Sequence, residues 1–174
     1  EVFITGFGEP LLHSQLHQLF KVITEHNSSL KCVTVVTNGD ILTTSIVKSL
    51  RDSGVTNIVV SMYDGPEQIQ VLKDTINDIL PYSLRERYYG PDQDYGIESI
   101  NNRSGHVTSR QIQAQHNDVC YLPFNKCQVD WNGDVLLCDQ DWGRNGVIGN
   151  VHSTSIKHIW LSDEMEKYRK MLID

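Results

Sequence analysis

Val2-Phe3-Ile4-Thr5-Gly6-Phe7-Gly8-Glu9-Pro10 is an apolar strand that runs directly into a glycine-rich turn, and Leu11 to Glu25 follows with Leu12, Leu16, Leu19, Phe20 and Ile23 at helical spacing. The same alternation recurs downstream. Val33 to Thr37 is a Val-rich strand ending at Asn38-Gly39, and Thr43 or Thr44 can cap a helix through Leu50. Asn57 to Met62 leads through Asp64-Gly65-Pro66 into a helix predicted over Glu67 to Leu80. Ser83 to Tyr89 follows Pro81 as a fourth strand and stops at Gly90-Pro91. Strand and helix alternating at this spacing imply right-handed βαβ units and a parallel sheet, so the class is α/β. Ligands of such sheets bind beyond the carboxyl ends of the strands. Gly6 to Pro10, Thr37 to Gly39, Ser61 to Asp64 and Tyr88-Tyr89 all fall there.

The whole chain has 174 residues, 39% of them hydrophobic, enough to bury the core of one domain or of one domain plus a small annex. Fifteen Lys and Arg against 22 Asp and Glu leave a net charge of −7, which disfavours a phosphate backbone as main partner. No apolar run approaches the roughly 18–20 residues of a membrane-spanning helix, and no charged-then-apolar leader opens the chain. The expectation is a cytoplasmic protein with neither nucleic acid nor membrane as partner. The chain starts at Glu1 and is in a strand almost at once, while Glu164 to Ile173 is still helical in pattern where it stops. It is therefore expected to be a fragment with sequence missing upstream.

From Pro91 to about Asp118 the pattern fades into a polar stretch that reads as a linker, within which Asn101 to Gly105 can form an ordered loop. Gln128 to Trp131 and Val135 to Cys138 are β-like runs around Asn132-Gly133, the strongest short hairpin signal. A helix starts at Ser155, with Ile156, Ile159, Trp160, Met165, Tyr168 and Leu172 as its apolar face. The expected organisation is 1–90, 91–118 and 119–174.

Two constellations can carry chemistry. In the first, Gly6 and Gly8 let the backbone approach a ligand, exposed N–H groups can receive a carboxylate, and Glu9 can accept from an ammonium, which suits the two ends of an amino acid. An ordinary strand-to-helix turn explains Gly-x-Gly equally well. Ser61 and Asp64 can bind ribose hydroxyls, although Asp64 serves as well to cap the next helix; Asn38-Gly39 reads also as a plain turn.

The second constellation is the cysteines. Cys32 precedes a buried strand and reads as core. Cys120, Cys127 and Cys138 crowd one hairpin in an acidic chain, where metal or cluster binding outranks a disulfide. Their spacing has no Cys-x2-Cys knuckle, and zinc would need His106, His116 or a carboxylate to complete a site.

Together these constellations resemble a radical S-adenosylmethionine (SAM) enzyme with a C-terminal auxiliary-cluster domain of the SPASM/twitch type, over nearly the whole length. Gly6 to Pro10 matches the family's glycine-glycine-glutamate-proline turn with Phe7-Gly8 in place of the usual paired glycines, and Cys120-x12-Gly133-x4-Cys138 matches the opening of the auxiliary domain. Val147 to Val151 and Ser155 to Trp160 look like its continuation.

The resemblance implies a partial (β/α) barrel followed by a small α+β domain containing a β-hairpin. It assigns Glu9 to the methionine amine, with Gly6, Gly8, Pro10 and Asn38 around the cofactor, Ser61 and Asp64 to the ribose, and Cys120 with Cys138 to an auxiliary [4Fe-4S] cluster. Cys127 ranks below them as a ligand. A catalytic [4Fe-4S] cluster is also implied, but its Cys-x3-Cys-x2-Cys loop is expected upstream of Val2, so the fragment itself is expected to be inactive. The implied reaction is reductive cleavage of SAM to a 5′-deoxyadenosyl radical that abstracts hydrogen from a peptide or from a carbohydrate or small-molecule substrate. A flavodoxin or ferredoxin would serve as donor. Arg85 and Arg87 share one strand face and can meet a substrate carboxylate or solvent. The alternative is a zinc-binding module, or a degenerate SAM-binding one without radical chemistry.

Overall fold

β1 (Val2–Ile4), β2 (Val33–Thr37), β3 (Asn57–Met62) and β4 (Tyr82–Glu86) lie side by side in that order, every pairing parallel. The computed structural model describes residues 1–6, 8–27, 29–87 and 119–173. The chain divides into two compact units, Glu1–Asp94 and Tyr95–Asp174. Phe7, Tyr88-Tyr89, the expected linker 91–118, the loop at Asn101 to Gly105, His106 and His116 lie outside the described residues.

In the first unit the register places Ile4, Val33, Val35, Ile58, Val60, Met62, Tyr82 and Leu84 on one face of the sheet. That face forms the core with Leu16 and Phe20 of α1 (Leu16–Glu25), Val47 and Leu50 of α2 (Thr44–Asp52), and Leu72 and Ile76 of α3 (Gln68–Ile76). Phe3, Val36, Val59, Ser61, Ser83 and Arg85 point to the other face. Arg87 continues the ladder by donating its N–H to Met62 O at 2.7 Å, so it shares that face with Arg85, and both arginines are exposed.

The helices depart from the periodicity in instructive ways. Thr43 caps α2, accepting from Ile46 N, and that helix runs two residues past Leu50. The expected helix over Leu11 to Glu25 is broken. Pro10–Leu12 is a 3-10 turn, His13 is extended, and α1 begins only at Leu16, leaving Leu12 72% exposed. The Glu9 carboxylate accepts from Leu11 N and so caps this short turn rather than a long helix. The helix expected to reach Leu80 stops at Ile76, because Asn77 and Asp78 take left-handed conformations that end it.

In the second unit β5 (Gln128–Val129), β6 (Asp134–Leu136) and β7 (Val147–Asn150) form an antiparallel sheet. The hairpin strands are shorter than their apolar runs, and β7 was not expected as a strand. The turn closes through Asp130 N to Asp134 O at 2.8 Å, with Gly133 at φ +85°. Only glycine fits there, since a Cβ would also fall 2.7 Å from His152 Cδ2. Asp134 gathers the turn: it accepts from Asn150 Nδ2 at 2.8 Å, Asn132 Nδ2 at 2.9 Å and Arg144 Nη2, while Arg144 Nη1 donates to Asp130 at 2.6 Å. These bonds, Asn150's first and then Asn132's, hold the Asp134 carboxyl below its ordinary value of 3.8. Three helices complete the unit: α4 (Leu122–Asn125), which the sequence did not signal, α5 (Ile156–Trp160) and α6 (Asp163–Met171). Ser155 and Ser162 cap the last two, and Ile159 and Met165 are buried with Val135 and Leu136. Ile156 is 49% exposed, so the expected apolar face is narrower than the sequence suggested.

Two outcomes are expected. Phe20→Ala, at a side chain with no exposed surface, should cost about 3–5 kcal/mol in denaturant unfolding. Because the folded pKa of Asp134 is depressed, its contribution is present above about pH 3.8 and is lost as pH falls through the lowered value. Asp134→Asn should flatten the acid limb of unfolding followed by tryptophan fluorescence.

Candidate functional site

All the strands of the parallel sheet deliver their carboxyl ends to one edge. There the Glu9 carboxylate is held by donors from two elements. Oε1 accepts from Leu11 N at 2.9 Å and from Thr37 Oγ1 at 2.7 Å, and Oε2 accepts from Asn38 N at 2.8 Å. The turn after β1 is thereby stitched to the end of β2. Thr37 is 2% exposed, and its hydroxyl also accepts from Gly39 N at 3.1 Å, which fixes its direction.

A carboxylate offers about four acceptor positions, and three are filled by donors among the described residues. The remaining one is on Oε2. Glu9 is thus rigid and able to receive a single further donor, such as an ammonium. Gly6 and Gly8 beside it are open: a Cβ at either would meet no atom within 4 Å. An acceptor with one vacant direction next to uncovered backbone fits the amino acid end of SAM.

The other expected cofactor residues are placed differently. The Asn38 side chain is engaged with Asp40, donating to Oδ2 at 2.7 Å and accepting from Asp40 N at 3.1 Å, so its backbone N–H serves Glu9. Ser61 is half-buried on the sheet face opposite the helices, in register with Arg85. Asp64 is exposed beyond the end of β3. It does not cap α3 in the ordinary way; its Oδ2 accepts from Gln68 Nε2 at 3.0 Å, and Gln68 Oε1 accepts from Asp64 N at 3.2 Å. The structure joins Glu9, Thr37 and Asn38. It does not hydrogen-bond Ser61 or Asp64 to them. Sequence reasoning placed Thr37 at the binding edge of the sheet but gave it no role; its signal there is its place as the last residue of a buried strand.

Cys120 and Cys127 are exposed on either side of α4, and Cys138 is half-buried just after β6. All are free thiols, as is Cys32, whose Sγ lies 3.4 Å from Thr34 Oγ1. Cys127 is exposed as a residue, but partial desolvation of its thiol raises the pKa, and the Arg169 cation partly opposes this. The Cys138 Sγ accepts from Gln140 N at 3.3 Å, the kind of N–H···S bond that supports a cluster thiolate. Among the described residues no three His, Cys, Asp or Glu side chains stand close enough to hold a metal ion. The donor chemistry nevertheless fits an iron–sulfur cluster: soft sulfur ligands, unpaired by disulfides, one already furnished with a backbone donor. Asp141, buried in the loop leaving Cys138, braces that loop by accepting from Gly146 N at 2.6 Å.

Residues 120–174 match the SPASM family, an iron–sulfur cluster-binding domain. The chain is 26% identical over 166 residues to an S-adenosyl-L-methionine-dependent 2-deoxy-scyllo-inosamine dehydrogenase of Niallia circulans, covering 95% of this chain and 64% of the relative. Among solved structures it is similar to BtrN in complex with AdoMet and 2-DOIA, with a TM-score of 0.78 and 25% identity, covering 98% of this chain and 65% of that one. BtrN in an open conformation gives a TM-score of 0.68 at 25% identity, over 98% of this chain and 63% of that one. The chain thus spans just under two thirds of the length of these relatives. The findings bear out the resemblance to a radical SAM enzyme with a SPASM domain, and they support SAM and iron–sulfur clusters as its cofactors. Among the described residues no helix is long and apolar enough to cross a membrane.

Glu9→Ala should weaken SAM binding roughly ten- to a hundredfold in equilibrium dialysis, since a hydrogen bond to a charged group contributes about 1.5–3 kcal/mol. Thr37→Val, which removes one donor and keeps the shape, should lose less. An unaltered affinity in Glu9→Ala would mean that the turn is merely structural.

Proposed function

We propose that this radical SAM and SPASM chain forms the SAM-binding and auxiliary-cluster portion of an enzyme that dehydrogenates a small polyhydroxylated molecule. The observation that carries the reading is the Glu9 carboxylate, locked by Thr37, Asn38 and Leu11 with one acceptor direction left beside two uncovered glycines. In this reading the parallel sheet is part of a (β/α) barrel. Glu9 receives the methionine amine, Gly6, Gly8 and Pro10 shape the turn around it, and Asn38 holds Glu9 through its backbone. Ser61 and Asp64 reach the ribose.

When bound, a [4Fe-4S] cluster and SAM supply a 5′-deoxyadenosyl radical able to abstract hydrogen from carbon, which is chemistry no side chain provides. The chain's residues position the cofactor and limit water access. Cys120 and Cys138 are the auxiliary-cluster ligands, and Cys127 is a third candidate. A reducing partner such as flavodoxin or ferredoxin supplies electrons.

Of the two substrate classes open from the sequence, a small molecule is favoured over a peptide because the Niallia relative is named for action on 2-deoxy-scyllo-inosamine. Among the described residues no helix packs on the sheet face that carries Ser61, Ser83, Arg85 and Arg87, whose side chains are donors suited to hydroxyl oxygens.

The test uses the full-length gene product that carries this chain, reconstituted with iron and sulfide without oxygen. It should turn brown and release 5′-deoxyadenosine when given SAM, a reductant and an aminocyclitol. Cys120→Ala with Cys138→Ala should lose about four irons and keep the rest; unchanged iron would refute their assignment. A colourless zinc protein would favour the binding-module alternative, and SAM binding without 5′-deoxyadenosine the degenerate one.

A further inference from the structure

One heavily engaged side chain of the second unit is signalled by no motif. Arg169, in the last turn of α6, donates from Nε to Pro123 O at 3.0 Å and from Nη1 to Trp160 O at 2.9 Å. Its guanidinium lies 4.2 Å from the centre of the Trp160 ring and 5.9 Å from that of Phe124. One side chain therefore ties α4, α5 and α6 together. Because α4 is the segment between Cys120 and Cys127, Arg169 grips the stretch that carries both thiols.

Two features exceed what a packing brace needs. Among the described residues the buried Nη2 has no hydrogen-bond partner, a costly arrangement for a charged donor. Among the described residues no carboxylate forms an ion pair with Arg169, so its charge is not neutralised by a salt bridge there. A planar fork with two prongs fixed on backbone carbonyls and the third unused is preorganised for one further acceptor. The acceptor expected in this unit is an iron–sulfur cluster, whose thiolates and sulfides are anionic and accept hydrogen bonds.

We propose that Arg169 is a positioning and potential-tuning residue of the auxiliary cluster: its Nε and Nη1 fix the segment bearing Cys120 and Cys127, and its Nη2 supplies a donor and a fixed positive charge to the cluster. The inference rests on the reading of this unit as cluster-binding. Cluster potential is set by net charge, by hydrogen bonds to sulfur and by exposure, so a nearby cation favours the more negative, reduced state and raises the potential.

The test is the midpoint potential of each cluster, followed by electron paramagnetic resonance in the reconstituted full-length protein, with iron content and circular dichroism alongside. Arg169→Gln should shift the auxiliary cluster to a more negative potential and leave the catalytic cluster where it was, while Arg169→Lys, which keeps the charge but not the fork, should fall between. Selective loss of auxiliary iron in a folded variant would also support the proposal. An unshifted auxiliary potential in an iron-loaded variant overturns it and leaves Arg169 as packing. Where Arg169→Gln fails to fold, Arg169→Lys decides by the same comparison. If the Cys120 and Cys138 variants keep all their iron, the cluster reading itself fails; if they lose it while Arg169 variants behave as wild type, only this inference fails.

Discussion

The bond from Thr37 Oγ1 to the Glu9 carboxylate, seconded by Asn38 N, is the constraint around which the first unit is arranged. Parallel strands alone would bring two loops to one edge and leave them free to move. A carboxylate shared between them removes that freedom and sets the direction of its remaining lone pair. The same group also fixes where the chain turns after β1, because its bond to Leu11 N shapes the 3-10 turn and delays α1 to Leu16. In the proposed reading one side chain serves both structure and ligand recognition, its internal bonds leaving one lone pair for a further donor.

The second unit solves a different problem. It is small, its strands are two to four residues long, and its buried apolar set is short. Polar networks supply definition that the core does not. Asp134, held by Asn132, Asn150 and Arg144, locks the hairpin turn, and Arg169 locks the helices. Both networks sit next to cysteines in the sequence: the first closes the hairpin between Cys127 and Cys138, the second clasps the segment from Cys120 to Cys127. Binding a cluster contributes folding free energy of its own, so a unit of this kind needs less from its core.

Much of this was legible in the residues. Near-continuous apolar, Val-rich runs located β2 and β3 to the residue, because strands buried on both faces tolerate little else. Asn132-Gly133 located the hairpin turn because it needs a positive φ that glycine alone adopts cheaply. Helix limits were less legible. Leu12 is apolar and in phase yet exposed, and Ile76 ends its helix although Ile79 and Leu80 keep the pattern. In both places a local backbone decision, a side-chain cap at Glu9 and left-handed residues at Asn77 and Asp78, overrode periodicity. β7 and α4 went unpredicted since short segments carry too few residues for any period to register.

The sequence by itself determined the α/β class, the parallel order implied by short βαβ connections, the turn chemistry at Glu9 and Gly133, and the sulfur ligands available for a cluster. These follow from nearest-neighbour chemistry along the chain, which a sequence displays directly. Only the tertiary structure decided that Thr37 and Asn38 hold Glu9 across 28 and 29 positions, that Asp64 turns to Gln68, and that Arg169 reaches back 46 positions to Pro123. Those pairings depend on which strand ends and helix faces are brought together in space, and a hydrogen bond of 3 Å between distant residues leaves no periodic trace in the order of the amino acids.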